Sequence, residues 1–193
     1  MSGSAPITRL ARICDAVEIV PAEIDQMSDL RHLHALSARR LAAGMLSDLE
    51  IEAFAAHIYS ETYSMRLSEV VRARRLLSAR VDGTLVATAG WTPANDAGAV
   101  ARVLGVFVSP LYARQGIGRL LVEAVEAHAL QAGFAVCTVR APLGAADFFA
   151  VLGYDIASHG VWPLDREAAI PVAFMRKATA RPAPEQPGPA GGG

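Results

Sequence analysis

The most regular pattern in the chain is an apolar run that leads into a glycine-containing loop and then into helical spacing. The run extends from Val103 to Val108 and stops at Ser109-Pro110. From Ile117 onward apolar residues recur every three or four positions, which predicts an amphipathic helix that ends at Gly133. The predicted buried stripe of this helix is Ile117, Leu120, Leu121, Ala124, Val125 and His128, and its predicted outer face is Arg119, Glu123 and Glu126.

The residues before this segment predict a short strand, two helices and a hairpin. A strand at Val17 to Val20 stops at Pro21, and a helix follows over about 25–43, with Gly44 as its stop. Ser47-Asp48-Leu49-Glu50 has the form of a capping box and predicts a second helix. Its predicted buried face is Ile51, Phe54, Ala55 and Ile58. Residues 61–74 are predicted to be partly helical.

Two alternating runs are joined by Asp82-Gly83, the strongest short signal for a hairpin. The runs are Leu76 to Val81 and Thr84 to Ala89, and a turn over 92–98 precedes the central strand. Beyond Gly133, a buried strand is predicted from Phe134 to Arg140. Because a helix connects it to the central strand, the two strands should be parallel, with a right-handed crossover.

The last part of the chain predicts a short helix and two strands. The helix spans 142–152 and stops at Gly153, and the strands lie at 154–157 and 170–176. Residues 1–16 are expected to form a flexible leader, and 178–193 a disordered tail rich in Pro, Gly and Ala. The folded domain is therefore predicted to span 17–177, with a mixed α/β architecture.

Composition excludes several classes of protein. The chain has 193 residues, a formal net charge of −1 and no long basic run, so no nucleic-acid partner is expected. No stretch has the features of a signal peptide or the length of a membrane span, so a cytoplasmic protein is expected. The two cysteines, Cys14 and Cys137, do not suggest a disulfide framework. The spacing of the five histidines matches no metal site.

The glycine loop is a candidate phosphate site. The N-terminus of a helix carries a partial positive charge and unpaired N–H groups. Gly116 and Gly118 have no Cβ to keep phosphate oxygens away, and Arg114 and Arg119 add positive charge beside them. The same glycines also suit a tight turn from strand to helix, so both interpretations stay open at this point.

Two motifs and the order of elements resemble the GCN5-related N-acetyltransferase (GNAT) superfamily. The first motif is Val106-Phe107-Val108-Ser109-Pro110 followed by Arg114-Gln115-Gly116-Ile117-Gly118. The second is Ala146-Asp147-Phe148-Phe149-Ala150-Val151-Leu152-Gly153-Tyr154. Two helices before an antiparallel hairpin complete the likeness, which spans about Val17 to Lys177. The resemblance implies a mixed central sheet with helices on both faces.

The resemblance also implies acetyl transfer from acetyl-CoA, as cosubstrate, to an amine of a small molecule or a protein. The pyrophosphate of CoA is then expected on Arg114, Gln115, Gly116, Ile117, Gly118 and Arg119. Its pantetheine arm is expected to lie as an extra strand along Val106, Phe107 and Val108, with Phe149 beside the thioester. No metal is expected. The acceptor is undetermined, and the oligomeric state, a homodimer included, stays open.

Three positions depart from the family pattern. Ala113 stands where Arg or Gln is usual, which should weaken CoA binding without abolishing it. Arg102 occupies the usual place of a general-base Glu on the central strand. Phe149 occupies the usual place of a general-acid Tyr. Substitutes for the base and the acid are Asp96, Tyr154, Tyr112 and Tyr63, and no catalytic residue is assigned.

Two other functions therefore stay in view. The first is a non-catalytic acyl-CoA-binding module of the same fold, which the missing Glu and Tyr favour. The second is a dinucleotide-binding redox domain, but Leu121 stands where its third glycine should be, and no carboxylate ends the next strand.

Overall fold

The computed structural model describes residues 16–41, 46–94, 99–164 and 168–179. Its strands are β1 (Glu18–Pro21), β2 (Leu76–Val81), β3 (Thr84–Pro93), β4 (Val100–Val108), β5 (Val136–Pro142), β6 (Asp155–Pro163) and β7 (Ala169–Ala178). Its α-helices are α1 (Met27–Leu41), α2 (Asp48–Tyr59), α3 (Glu61–Arg72), α4 (Ile117–Gln131) and α5 (Ala146–Val151). The leader to residue 15, the tail from residue 180, Cys14, Gly44 and Asp96 lie outside the described residues.

The seven described strands form one mixed sheet in the order β1-β2-β3-β4-β5-β7-β6. The predicted βαβ unit is confirmed, since β4 and β5 are parallel and α4 connects them. Every other neighbouring pair is antiparallel. The predicted hairpin is also confirmed, with Asp82 and Gly83 both at positive φ, as a tight turn of this kind requires.

Helices cover both faces of the sheet, as expected from the alternation of its strands. On one face α4 packs against β2, β3 and β4, where Leu121 and Val125 meet Ala87, Ala101 and other buried residues. On the other face α1, α2 and α3 pack against β3, β4 and β7, and Phe54 and Ile58 contact Ile170 and Val172. None of the described helices has both the length and the apolar sequence needed to cross a membrane.

The local signals of the first helices are confirmed in detail. The Ser47 hydroxyl accepts a hydrogen bond from the Glu50 N–H at 3.3 Å, and the Glu50 carboxylate accepts one from the Ser47 N–H at 2.8 Å. The predicted face of α2 is fully buried. The first predicted helix begins as an α-helix about two residues later than predicted, because Ile24–Gln26 form a 3₁₀ turn. Residues 61–72 form a regular helix, capped by Ser60.

The prediction that Glu126 faces solvent is wrong. Its side chain is buried, and Lys177 of β7 donates a 2.6 Å hydrogen bond to its carboxylate. The buried stripe of α4 is therefore wider than predicted and includes Val122 and Ala129 as well. Helical periodicity assigned a charged residue to the outer face because the neutralising cation lies 51 residues later in the chain.

Replacing Lys177 with methionine is expected to destabilise the fold by about 2 to 3 kcal/mol, because it leaves the Glu126 carboxylate buried without a counter-charge. Urea unfolding measures the change. The matched double variant Lys177→Met/Glu126→Leu removes both charges and should recover most of the loss. Equal stability of wild type and Lys177→Met would mean that the ion pair does not contribute.

Candidate active site

A cleft opens in the middle of the sheet because its two parallel strands separate. β4 and β5 pair from Val100 opposite Val136 to Val103 opposite Val139. Beyond this point β4 stays paired with β3 and β5 with β7, but the two strands do not pair with each other. We call the gap between Leu104–Val108 and Arg140–Pro142 the cleft. One edge of β4 faces it without a strand partner.

A β-bulge lies in β4 at the start of the cleft. The register passes from Gly90 opposite Leu104 to Thr88 opposite Phe107, so Gly105 and Val106 together oppose one residue of β3. Gly105 has a φ of 63°, a conformation that suits glycine. The Thr88 hydroxyl donates to the Gly105 carbonyl at 2.7 Å. Because the peptide is trans and planar, the N–H of Val106 points the opposite way, away from the Thr88 hydroxyl.

The glycine loop connects the end of β4 to α4. Pro110–Tyr112 form a 3₁₀ turn, and Arg114 and Gly116 take positive φ values of 62° and 86°. Gly116 is the N-cap of α4, and none of the described side chains caps this helix end. The N–H groups at positions 117–119 are therefore directed at whatever lies in front of the helix. The predicted strand, loop and helix are confirmed, and the tight turn does require the left-handed glycine.

The predicted contact residues are distributed around the loop and the cleft. Val106, Phe107 and Val108 are half-buried on the free edge of β4. The Gln115 amide donates to the Leu111 carbonyl at 3.1 Å. The Ile117 side chain is in the core, which leaves only its backbone for a ligand. Arg119 forms an exposed ion pair with Glu123 at 2.9 Å. The roles proposed for these residues stay predictions.

Gly118 brings the helix close to the cleft wall. A Cβ at this position would lie 3.4 Å from the Val108 side chain and 3.5 Å from the Phe148 ring. Phe148 is half-buried, whereas Phe149 lies in the core against the Tyr154 ring, at 5.5 Å between centroids. The member of the aromatic pair nearest the loop is therefore Phe148, with Phe149 behind it at 5.0 Å.

A buried hydrogen-bond chain supports the bulge from the other face of the sheet. Tyr63 and His34 share a 2.8 Å hydrogen bond, and His34 and Thr88 share another of 2.8 Å. Since the Thr88 hydroxyl donates to Gly105, it accepts from His34 Nε2–H, and Nδ1 accepts from the Tyr63 hydroxyl. The His34 ring stacks on Phe107 at 4.2 Å. Burial lowers the pKa of His34 to about 3, so the imidazole is neutral.

The other titratable candidates near the site are poorly placed as a base or a nucleophile. Burial raises the pKa of the Tyr63 and Tyr154 hydroxyls, which are therefore weak acids. Burial, followed by the charge of Glu126, raises the pKa of the Cys137 thiol to about 11, in agreement with its interpretation as a core residue. In the ranges that the structure describes, no three His, Cys, Asp or Glu side chains converge as metal ligands.

Sequence reasoning missed the bulge and the hydrogen-bond chain behind it. His34 is buried in α1, whereas His32, two residues before it, is exposed. Nothing in the spacing joined His34 to Tyr63, 29 residues away, or to Thr88, 54 residues away. A Gly inside a strand pattern is a bulge signal, and Gly105 offered it.

Solved structures with the same fold include several acetyltransferases. A GCN5-related N-acetyltransferase from Rhodopseudomonas palustris matches with a TM-score of 0.72 and 24% identity, over 83% of this chain and 94% of that one. PaiA N-acetyltransferase from Thermoplasma acidophilum, in complex with coenzyme A, matches at 0.63 and 19%, over 84% and 98%. YncA from Salmonella typhimurium, with its cofactor acetyl-CoA, matches at 0.62 and 14%, over 87% and 96%.

These identities show a common fold. No curated protein is similar enough in sequence to count as a relative. The sequence model of the Acetyltransferase (GNAT) family, however, matches residues 44–154, which is more than half of the chain. That span includes the hairpin, the bulged strand, the glycine loop and the aromatic pair. The chain therefore belongs to the GNAT acetyltransferase family.

Proposed function

We propose that the chain is an N-acetyltransferase that transfers the acetyl group of acetyl-CoA to an amine by direct attack in a ternary complex. The observation that carries the proposal is the cleft between β4 and β5, which opens beside the uncapped N-terminus of α4. Solved structures of this fold with coenzyme A or acetyl-CoA support the choice of cosubstrate.

In this proposal the cosubstrate binds mainly through backbone groups. The pyrophosphate lies on the N–H groups at positions 117–119, with Arg114 adjacent, where the helix dipole favours negative charge. The pantetheine arm pairs with the free edge of β4 at Val106–Val108. Phe148 forms the wall beside the thioester, and Phe149 supports it from the core. Since Ala113 offers no polar side chain, backbone donors carry most of the affinity.

The reaction then needs few side chains. The amine nitrogen attacks the thioester carbonyl, a C–N bond forms, the C–S bond breaks, and the proton lost by nitrogen passes to solvent. Holding the two reactants together supplies on the order of 7 to 11 kcal/mol. The Val106 N–H, directed away from the Thr88 hydroxyl at the bulge, is the proposed oxyanion donor, worth roughly 3 kcal/mol. A thiol with a pKa of about 8.5 leaves as the thiolate without a general acid.

The runner-up is a non-catalytic acyl-CoA-binding module. It is favoured by the side chains at two positions, Arg102 in place of a carboxylate and Phe149 in place of a tyrosine. None of the described residues on β4 is acidic. Both functions use the same cleft. Both therefore predict acetyl-CoA binding, and only the transferase predicts turnover.

Release of free CoA in the presence of a panel of primary amines separates the two. We expect acetylated amine, identified by mass spectrometry, in amounts equal to the CoA released. A chain that binds acetyl-CoA and acetylates no amine would be the binding module. A chain that does not bind acetyl-CoA would be neither a transferase of this kind nor an acyl-CoA-binding module.

A further inference from the structure

An open groove on the sheet carries positive charge beside the cleft. α1 and α2 cover this face over Ile170 and Val172. None of the described helices covers the neighbouring part of β4, β5 and β7, which forms a groove of about 490 Å³. Its polar lining is Arg102, Thr138, Arg140 and Arg176. Arg102 and Arg176 flank Thr138 in one row across the three strands, and Arg140 is also the first residue of β5 beyond the last pair with β4.

These arginines have no acidic partner among the described residues. The ion pairs found there involve Arg39, Arg119 and Lys177. Asp155 lies opposite Arg176 in the register of β6 and β7 but does not reach salt-bridge distance. Partial burial, followed by the charges of Arg102 and Arg66, lowers the pKa of Arg140. The groove therefore concentrates like charges that the described part of the chain does not neutralise.

Arg140 is held in place by an aromatic wall. Its guanidinium lies 4.1 Å from the centroid of the Trp162 ring, an arrangement that favours the cation. Trp162 packs edge-on against Phe54 and His57, at 5.4 and 5.5 Å between centroids. A guanidinium fixed in this way loses little freedom when it binds a planar anion, and two arginines can hold a carboxylate through paired hydrogen bonds.

We propose that the acceptor is a small amine that carries an anionic group, a carboxylate or a phosphate, and that Arg102 and Arg140 bind this group. The proposal rests on the acetyltransferase function proposed above. It places the anion in the groove and the amine at the cleft, where Arg140 borders both. The volume of the groove suits a small molecule. A free amine alone would meet only repulsion there.

The phosphates of CoA do not account for these arginines. The loop that suits the pyrophosphate follows Val108. Val108 lies six residues along β4 from Arg102, and six residues of an extended strand span about 20 Å. If Arg102 and Arg140 served CoA instead, their loss would weaken acetyl-CoA binding. The test includes that measurement.

The experiment compares matched acceptors. ω-Amino acids with two to six methylenes are set against the corresponding ω-amino amides and ω-aminoalkylphosphonates. We expect kcat/KM at least about ten-fold higher for one anionic series than for the amides. Arg102→Gln and Arg140→Gln should each remove about ten-fold for the anionic acceptors, mainly through KM, and little for the amides. Acetyl-CoA affinity should not change.

Arg72→Gln is the matched control, because Arg72 is an exposed arginine on α3 whose side chain hydrogen-bonds, within the described part of the chain, only to Ser68. It should leave every acceptor unchanged. Equal rates for amides and anions, or loss of acetyl-CoA binding in the two groove variants, would overturn the proposal. Faster acetylation of an acidic peptide than of any small acceptor would overturn its small-molecule part. Preference for the phosphonates over the carboxylates would identify the anion as a phosphate.

Direct binding separates failure of this proposal from failure of the proposed function. If no amine is acetylated, calorimetric titration of the same ω-amino acids and phosphonates into the protein decides the matter. Saturable binding that Arg140→Gln abolishes would uphold the anion site while the transferase function fails. Absence of binding would overturn the anion site as well. Acetylation of amines without any preference for anions would overturn this proposal alone.

Discussion

Replacing Gly118 with tryptophan is expected to weaken acetyl-CoA binding by at least about 100-fold, or about 2.7 kcal/mol. A Cβ at this position already touches Val108 and Phe148 at ordinary contact distances. Alanine therefore fits, whereas the indole must extend past both side chains into the cleft. Calorimetric titration of acetyl-CoA into Gly118→Trp, Gly118→Ala and the wild type measures the difference in affinity.

Gly133→Trp is the matched control for this substitution. It places the same indole just past the other end of α4, where a Cβ would have no described atom within 4 Å. Any cost of its left-handed backbone, at a φ of 94°, should appear in stability and not in affinity. Circular dichroism should show the same fold in all variants. A folded Gly118→Trp protein with wild-type affinity would mean that the ligand does not use this loop.

The stability of the fold is expected to fall steeply as the pH drops below about 6.5, because of His34. In the folded state the pKa of His34 is about 3, against 6.5 in the unfolded chain. Between pH 6.5 and 3 the unfolded state therefore binds a proton at His34 that the folded state does not bind. Each unit of falling pH therefore costs up to about 1.4 kcal/mol of stability, or roughly 2.3 kcal/mol in total between pH 6.5 and 4.5.

Urea unfolding of the wild type and of His34→Gln at several pH values tests the role of His34. The glutamine keeps a hydrogen-bonding side chain and removes the titrating group. Carboxylates titrate in both proteins, and so does His57, whose pKa is lowered by burial and then by Arg66 and Arg140. The difference between the two slopes should be about one proton per molecule. Parallel curves would show that His34 is accessible to protons in the folded state, and that the buried chain to Tyr63 and Thr88 is not intact.

Local signals in the sequence were enough for most of the framework. The capping box at Ser47, the Asp82-Gly83 turn and the left-handed stops at Gly133 and Gly153 are each determined within a few residues, and the structure has all of them. The parallel pairing of β4 and β5 followed from a rule about crossovers that needs only the order of elements. Boundaries were less certain, and β3 and β6 extend beyond their predicted ends.

The features that shape the site depend on contacts between distant residues. The strands separate after Val103, next to the bulge in β4, and no periodicity in the sequence indicates where their pairing ends. Glu126 looked exposed because Lys177 was not known to face it. The loop glycines were visible in the sequence, but the arginine groove appeared only when the register aligned Arg102 with Thr138 and Arg176.

Amide hydrogen exchange with and without acetyl-CoA tests the central claim most directly, because it reports where the cosubstrate lies. Binding in the cleft predicts slower exchange in the peptides that cover Leu104–Val108 and Arg114–Arg119, with no change in β1 and β6. Unchanged exchange in both of those segments at saturating acetyl-CoA, or protection confined to another part of the sheet, would contradict the proposed site and the transferase function built on it.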